Sequence, residues 1–547
     1  MPADVIRLRP APVESVAVPE IRALADPRDL RLILNLRADV AEQLRINQAV
    51  TSHAVKRPYT RRVEQVYWDT PDYRLGRSGI ALALQKAGQK HFQVVHPIRE
   101  IQTGGRPNTE TQVQIQGDRP DLVRLALTAG ADPLLVSGLD PAGIIPVFSV
   151  DLRRTHWTLR WGDTTLALCL DQGTITSAQG DRSVHQVLLS HLSGPAIGLY
   201  DFARSLGRSL PISLARLSPA QKGYRLVAAD DWWASANKPM LSPSMTVHEG
   251  ILAIGRAATA QLRNEVDALA GSQKPERIHQ TRVAIRRLRS VLSVFGPVLP
   301  TLWRRVLGRE LNGLASQLGA AREWDVFLAE ILAPLEENLP LEHALSGLRL
   351  TGEVLREQAA ELARAAVTED DADHRHVGSS FMDLSLRLAA WFDAGIWPES
   401  PSPEAQLWFG QPLAAFAQEL LQKRHRKLVK AAHGLIDPRP DELHALRIDA
   451  KKLRYTAEFF ARLFSPKPAK RYLVALAEIQ DILGVINDAA ASRNLVQQLC
   501  AGSDPGNSHA AGLITGWTAA QAAIARQHFA ESWASFTSVK RFWKSPQ

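Results

Sequence analysis

The feature that most restricts this chain is an internal repeat. Ile278–Phe295 reads IHQTRVAIRRLRSVLSVF and Leu443–Phe460 reads LHALRIDAKKLRYTAEFF, and the two align without a gap at an offset of 165 residues. At the same offset Leu318–Gly319 falls on Leu483–Gly484, and Arg322–Glu323 falls on Asn487–Asp488. Two separate matches at one offset point to a duplicated unit of about four helices with pseudo-twofold symmetry.

The repeat carries charge in a fixed pattern. His279 matches His444, Arg282 matches Arg447, Arg286 and Arg287 match Lys451 and Lys452, and Arg289 matches Arg454. Positions 0, 3, 7 and 10 lie within about 80° of one another on an α-helix. His279, Arg282, Arg286 and Arg289 therefore form one row, about 15 Å long, and His444, Arg447, Lys451 and Arg454 form a second. Val283, Leu288, Val291, Ile448, Leu453 and Phe459 lie largely off the rows and are expected to face a core. Between Arg277 and Arg309 there are eight arginines and no Asp or Glu. Like charges three or four residues apart repel, and a solvated helix face usually mixes signs. Relief has to come from outside the helix, either from carboxylates such as Glu310, Glu323, Asp325, Glu478, Asp481 and Asp488 or from an anionic ligand. A third basic strip lies in Pro412–Lys430 (Lys423, Arg424, His425, Arg426, Lys427, Lys430), where Arg424 and Lys427 are spaced to share a face. Arginine forks and mobile lysine ammonium groups are the side chains that grip phosphate oxygens.

Composition agrees with an anionic partner. The 547 residues carry 65 Lys and Arg against 56 Asp and Glu, a net charge of +9. With only Cys169 and Cys500, far apart in sequence, neither a disulfide framework nor a cysteine metal site is expected. The first residues lack the apolar core of a signal peptide, and no apolar run is long enough to span a membrane. A cytoplasmic protein is expected.

Along the chain, residues 1–25 read as a flexible arm. Residues 26–230 are α+β, with mostly antiparallel strand-like runs at Arg31–Leu36, Gly79–Gln85, Phe92–Val95, Thr111–Gln116, His156–Arg160 and Thr165–Leu170. Helical stretches near Pro120–Ala129 and Gly198–Leu206 interrupt them. Residues 231–244 read as a linker, and residues 245–535 as helical, with repeats at about 245–370 and 405–535. The acidic, His-containing stretch Thr368–His376 reads as an exposed loop or helix end between the halves. His374 and His376 beside Asp373 point apart on a helix, so no metal site is expected there. No phosphate-binding glycine loop and no nucleophile signature appear.

The paired segments, together with LGAAREWD (Leu318–Asp325) and LGVINDA (Leu483–Ala489), resemble the signatures of the CHAD family over about residues 245–530. That resemblance implies two four-helix bundles related by a pseudo-twofold axis, binding inorganic polyphosphate and associated with polyphosphate granules. It implies a site lined by His279, Arg282, Arg286, Arg287, Arg289, Arg424, Lys427, His444, Arg447, Lys451, Lys452 and Arg454. Glu323 and Asp488 would orient neighbouring cations, and Tyr455 would belong to the core.

Tyr67–Asp72 (YWDTPD), Leu75–Leu82 (LGRSGIAL) and Lys222–Leu226 (KGYRL) resemble the landmarks of CYTH domains, antiparallel tunnel folds that hydrolyse or cyclise triphosphates. Such enzymes hold a divalent metal on glutamates and phosphates on Lys and Arg. Their opening strand reads ExExK, whereas Leu30–Leu36 here reads LRLILNL. Ala83 and Gln85 stand where arginines usually alternate, and Val184–Leu192 lacks glutamate. Asp171, Arg153 and Arg154 are among the few tunnel charges retained. A tunnel without carboxylates cannot coordinate Mg²⁺ or Mn²⁺, and phosphoryl transfer then loses its charge neutralisation. The expectation is a non-catalytic polyphosphate-binding protein without metal or cofactor. The alternatives are a metal-dependent triphosphatase acting through the N-terminal domain and a nucleic-acid binder. The last is disfavoured because the rows lack interleaved exposed aromatic residues. Oligomeric state is not legible.

Overall fold

A computed structural model describes residues 30–98, 111–126, 138–215, 217–228, 241–270, 274–338, 342–368, 381–397, 401–433, 439–499 and 505–544, with isolated positions between them. The expected arm, most of the expected linker and the Asp373–His376 cluster lie outside the described residues. The chain forms two compact units. Among the described residues, one holds positions 30–239 and 381–397, and the other positions 241–368 and 401–544.

The first unit is built on a nine-stranded antiparallel sheet. Its strands are β1 (Arg31–Asn35), β2 (Tyr59–Asp69), β3 (Ile80–Ala87), β4 (Lys90–Pro97), β5 (Thr111–Ile115), β6 (Ile145–Trp161), β7 (Thr164–Ser177), β8 (Gly180–Ser193) and β9 (Ser213–Leu214), in the order β5-β4-β3-β2-β6-β7-β8-β1-β9. Helix α1 (Ala38–Ile46) follows β1, α2 (Ile197–Ser209) follows β8, and α3 (Pro219–Val227) ends the segment. The sheet is strongly curled. Gln221 and Lys222 are adjacent on α3, yet Gln221 donates to the Ile98 carbonyl just after β4, and the Lys222 amine donates to Asn35 at the end of β1. In a flat sheet β4 and β1 would stand six strand spacings apart, about 29 Å, beyond the combined reach of two neighbouring side chains.

Asp69 ties the three landmark segments into one knot. It is fully buried and accepts from the Thr70 amide at 2.7 Å, the Leu75 amide at 2.9 Å, the Gly76 amide at 2.8 Å and the Tyr224 hydroxyl at 2.8 Å. YWDTPD, LGRSGIAL and KGYRL are thus held at one point. Gly223 is required there, because a Cβ would come within 2.1 Å of the Phe148 ring.

The helical unit has α4 (Val247–Ala270), α5 (Pro275–Val294), α6 (Thr301–Gln317), α7 (Gly319–Val326) and α8 (Glu342–Thr368) in its first half. The duplication reaches the element boundaries. Helix starts at Pro275 and Thr301 recur at Pro440 and Pro466, at the offset seen in the sequence. Pro275 with Glu276, and Pro440 with Asp441 and Glu442, provide the same opening turn: proline at the first positions and acids toward the positive helix end.

One further segment departs from the expected division. After α8 the chain joins the first unit through α9 (Phe381–Leu388) and a π-helical turn, Ala389–Asp393. Met382, Leu386, Ala389, Ala390 and Ala394 share a core with Leu34, Leu168, Phe202 and Leu206, and Arg204 pairs with Asp383 at 2.5 Å. Phe381–Phe392 is apolar on nearly every side, as a helix that must be buried. The second half of the helical unit then runs α10 (Leu413–Ala432), α11 (Pro440–Phe460), α12 (Pro466–Leu499) and α13 (Pro505–Ser538).

Equivalent helices of the two halves meet each other, as a local twofold requires. α5 packs on α11, and Phe295, Phe416 and Phe460 form one ring cluster with centroids 5.6–6.4 Å apart. α8 and α13 share a second core through Leu345, Leu348, Ala510 and Ile514.

Candidate anion-binding site

On α5 the buried positions are Ile278, Thr281, Ala284, Ile285, Leu288, Val291, Leu292 and Val294, largely the 3–4 spacing of a core face. The remaining face carries His279, Arg282, Arg286 and Arg289. On α11 Leu443, Leu446, Ala450, Leu453 and Ala457 are buried, leaving His444, Arg447, Lys451 and Arg454 on the other side. Leu288, Val291, Leu453 and Phe459 enter the core as expected; Val283 is only half-buried, and Ile448 is 40% exposed.

The rows meet at Lys451. Its amine is partly buried and its pKa is lowered to about 8, first by burial and then by the charges of Arg447, Arg286 and Arg282, with Asp488 opposing. Arg282 and Arg286 belong to one row and Arg447 to the other, so cations of both halves act on one ammonium group. His279 is also held below its ordinary value, first by burial and then by Arg322, Arg286 and Arg282 against Glu276.

The two rows differ in how they are neutralised. Among the described residues, no carboxylate lies within ion-pair distance of Arg282, Arg286 or Arg289, and the Arg286 Nε is buried without a partner. Arg282 donates instead to the Ala315 carbonyl at 3.0 Å. That carbonyl belongs to the last turn of α6, which stops at Leu318; a continuous helix would offer it to the Gly319 amide. Gly319 leaves room for the guanidinium, since a Cβ there would lie 3.1 Å from Arg282 Nη1. In the second half α12 runs on without a break, and Arg447 turns to Asp488 at 3.7 Å. Arg454 pairs with Glu458 at 2.8 Å and donates to Gln480 at 3.1 Å. His444 bonds Asn487 at 2.9 Å, whereas the position equivalent to Asn487 is Arg322 in the first half. Asp488 therefore orients a cation as expected, and Glu323 acts on Arg282 through its charge. The second row is partly relieved from within the protein and the first is not.

Several expected site residues stand elsewhere. Arg424 is a correction: it is 5% exposed and donates to the Lys452 carbonyl, the Thr456 hydroxyl, and the carbonyl and hydroxyl of Ser293. It is an interior strut joining α5 to α11, and burial brings its pKa down to about 10. The three-residue spacing with Lys427 was misleading, because Lys427 stays half-exposed and pairs with Asp449 at 3.1 Å. Arg287, expected in the site, lies off the row, donating to Gln261 at 3.2 Å and lying 5.8 Å over the Phe459 ring. Lys452 is exposed on α11, and its backbone carbonyl receives Arg424. Tyr455 is half-buried at the rim beside Arg289 rather than in the core.

In the first unit, strand pairing identifies the inner face. Residues paired directly across antiparallel strands share a face. Arg31, Ile33 and Asn35 of β1 share that face with Ser190, Leu188 and Gln186 of β8. The face continues through Asp171, Arg154 and Arg61 on β7, β6 and β2, and through Gln65 and Gln85 on β2 and β3. Asp171 is spent on a bidentate pair with Arg154 at 2.6 and 2.8 Å. Arg153 lies on the opposite face, a correction to its grouping with Arg154. Much of the inner face is filled by apolar groups: Val63, Ala83, Val94, Val150, Leu152 and Ile175, with stacked Tyr67 and Phe148 rings 4.5 Å apart. Lys222, brought down to about 8 by burial and Arg182, reaches into it from α3.

Residues 253–497 match the family model of the CHAD domain. An inorganic triphosphatase of Haemophilus influenzae is 24% identical over 161 residues, 29% of this chain and 44% of the relative, so the match spans less than half of that protein. An uncharacterized protein of Mycobacterium tuberculosis is 26% identical over 498 residues, covering 83% of this chain and 85% of the relative. The crystal structure of the CHAD domain from Ricinus communis is 28% identical, covers 57% of this chain and 96% of that chain, and has a TM-score of 0.46. Solved structures resembling the N-terminal region include proteins described as putative adenylate or adenylyl cyclases, at 11–16% identity and TM-scores of 0.18–0.23. Among the described residues, no helix is long and apolar enough to cross a membrane.

Proposed function

We propose that this protein binds inorganic polyphosphate on the joined cationic rows of α5 and α11, and that its N-terminal unit does not turn over triphosphates. The observation that carries the binding reading is the packing of α5 on α11, which lets the charges of Arg282, Arg286 and Arg447 act together on Lys451, with the first row without carboxylate partners among the described residues. Bringing like charges together and partly burying them is unfavourable unless a counter-charge arrives. A flexible polyanion running along both helices supplies one at every repeat unit. The CHAD match and the triphosphatase relative point to the same chemistry of linked phosphates.

The non-catalytic reading of the first unit is supported by its inner face. Arg31, Ile33 and Asn35 occupy the strand where metal-holding glutamates would be needed, Asp171 is engaged by Arg154, and aromatic rings fill the space beside α3. Binding of this protein to polyphosphate granules in a cytoplasm is the cellular counterpart of this proposal.

Titrating the full chain with long-chain polyphosphate, and with RNA of equal total charge, tests the ligand. Polyphosphate is expected to win by at least tenfold; equal affinity would make the rows a general polyanion surface. Incubating the full chain with tripolyphosphate and Mg²⁺ or Mn²⁺ tests the second part. No metal-stimulated phosphate release is expected, and clear turnover would restore the triphosphatase reading.

A further inference from the structure

A cavity on the helical unit, away from the two rows, is lined by His425, Arg426, Val429, Lys430, His433 and Arg541. No carboxylate lines it, and among the described residues Arg426, Lys430 and Arg541 have no ion-pair partner. Arg426, Lys430 and His433 recur at the spacing of one face of α10. Arg541 arrives from the other side, in the segment that follows α13.

The cavity is built rather than incidental. Phe542 and Trp543, next to Arg541, are 2% and 0% exposed and pack edge-on against Tyr472. Gln422 accepts from Trp543 Nε1 at 3.2 Å and from Arg541 at 3.4 Å, which holds that guanidinium over α10. The His425 Nδ1 lies 2.9 Å from the Tyr472 hydroxyl. Burial, Arg541 and Lys544 lower its pKa to about 4, so the ring is neutral. The Tyr472 contact occupies Nδ1, which leaves Nε2 as the other ring nitrogen of this cavity-lining residue. The duplication does not supply this cluster. At the offset of 165 residues, Arg426, Lys430 and His433 correspond to Gln261, Glu265 and Ala268. These α10 charges have no counterpart in the first half, so they are not part of the repeated rows.

We propose that this cavity is a second anion site, distinct from the rows, that takes a compact phosphoanhydride such as pyrophosphate. Two arginines, one lysine and a neutral imidazole line one open cavity of about 520 Å³, a cluster of donors and positive charge that suits the grouped oxygens of a phosphoanhydride. The same chemistry is offered by free pyrophosphate and by the end of a polyphosphate chain.

Calorimetric titration of the full chain with pyrophosphate tests the assignment. Binding is expected in the parent protein, to survive in Arg286→Ala/Lys451→Ala, and to weaken at least tenfold in Lys430→Gln/Arg541→Gln. Glutamine at Arg541 can still hydrogen-bond Gln422, and an unchanged melting temperature shows that the fold is kept. If pyrophosphate does not bind, or if the row variant abolishes binding while the cavity variant leaves it intact, the assignment is wrong. Failure of the row proposal leaves this outcome untouched, because the two variant pairs are read separately. Long-chain binding to the cavity variant then identifies the source: unchanged affinity assigns the site to free pyrophosphate, and weakened affinity assigns it to chain ends.

Discussion

At the residue scale, Lys451 and His279 convert the site's electrostatics into a pH dependence. Both pKa values lie below their ordinary values because burial and neighbouring cations disfavour the charged forms. A bound polyanion favours the charged forms and raises both values, so the complex holds more protons than the free protein. Affinity must then rise as pH falls toward about 8 through Lys451, and again at lower pH through His279. Titrations from pH 6 to 9 are expected to show this slope, and Lys451→Met should remove its upper limb while keeping the lower one. A flat profile in the parent protein excludes a role for either group. Arg424 behaves differently, because it holds the protein together. Arg424→Leu leaves the acceptors of Ser293, Lys452 and Thr456 without their donor and should cost about 3 kcal/mol of stability, read by denaturant unfolding. The spacing of charges in the sequence does not separate Arg424 from Lys427. Only the packing of α10 between α5 and α11 decides which of them turns inward.

At the element scale, much was legible and the misses have physical causes. The cationic rows follow from helical periodicity, and the duplicated helix starts from Pro275 and Pro440 with their acidic first turns. The start of β2 is hard to read from sequence because charged and polar residues crowd Tyr59–Glu64, and β8 begins earlier than its apolar part at Val184–Leu192 because Gly180–Ser183 is polar. The break between α6 and α7, which frees the Ala315 carbonyl for Arg282, has no counterpart in α12 although the flanking sequences align. Its origin is tertiary, since a local reading treats Leu318–Gly319 and Leu483–Gly484 alike. Helix α9 lies between the two repeats and is signalled only by its apolar content, interrupted by Asp383, Ser385 and Arg387. In the first unit, YWDTPD and KGYRL are structural because Asp69 binds them together. Asp69→Ala orphans three backbone amides and the Tyr224 hydroxyl and should destabilise that unit by about 3 kcal/mol or more. Loss of hydrogen-exchange protection in β2, β3 and α3 would reveal it; unchanged protection would show that the landmarks do not depend on this carboxylate.

At the scale of the whole molecule, the charge of the chain is placed unevenly in a functional sense. Many arginines are absorbed by local acids, such as Arg154 by Asp171 and Arg349 by Glu336. The first row and the α10 cavity keep cations without carboxylate partners among the described residues. Binding to an extended polyanion should therefore depend steeply on salt, with the logarithm of affinity falling linearly against the logarithm of salt concentration. Each row cation removed should lower that slope by about one. Substituting Arg160, an exposed arginine of β6 outside both sites, should leave the slope as it is.

The central claim is that α5 and α11 form one polyphosphate site across the two halves. The direct measurement is the affinity of the full chain for long-chain polyphosphate in the parent, Arg286→Ala, Lys451→Ala and the double variant, at fixed salt and pH 7. Each single change is expected to weaken binding several-fold and the double change at least thirtyfold, with unfolding midpoints unchanged. Parent-like affinity in the folded double variant would contradict the account.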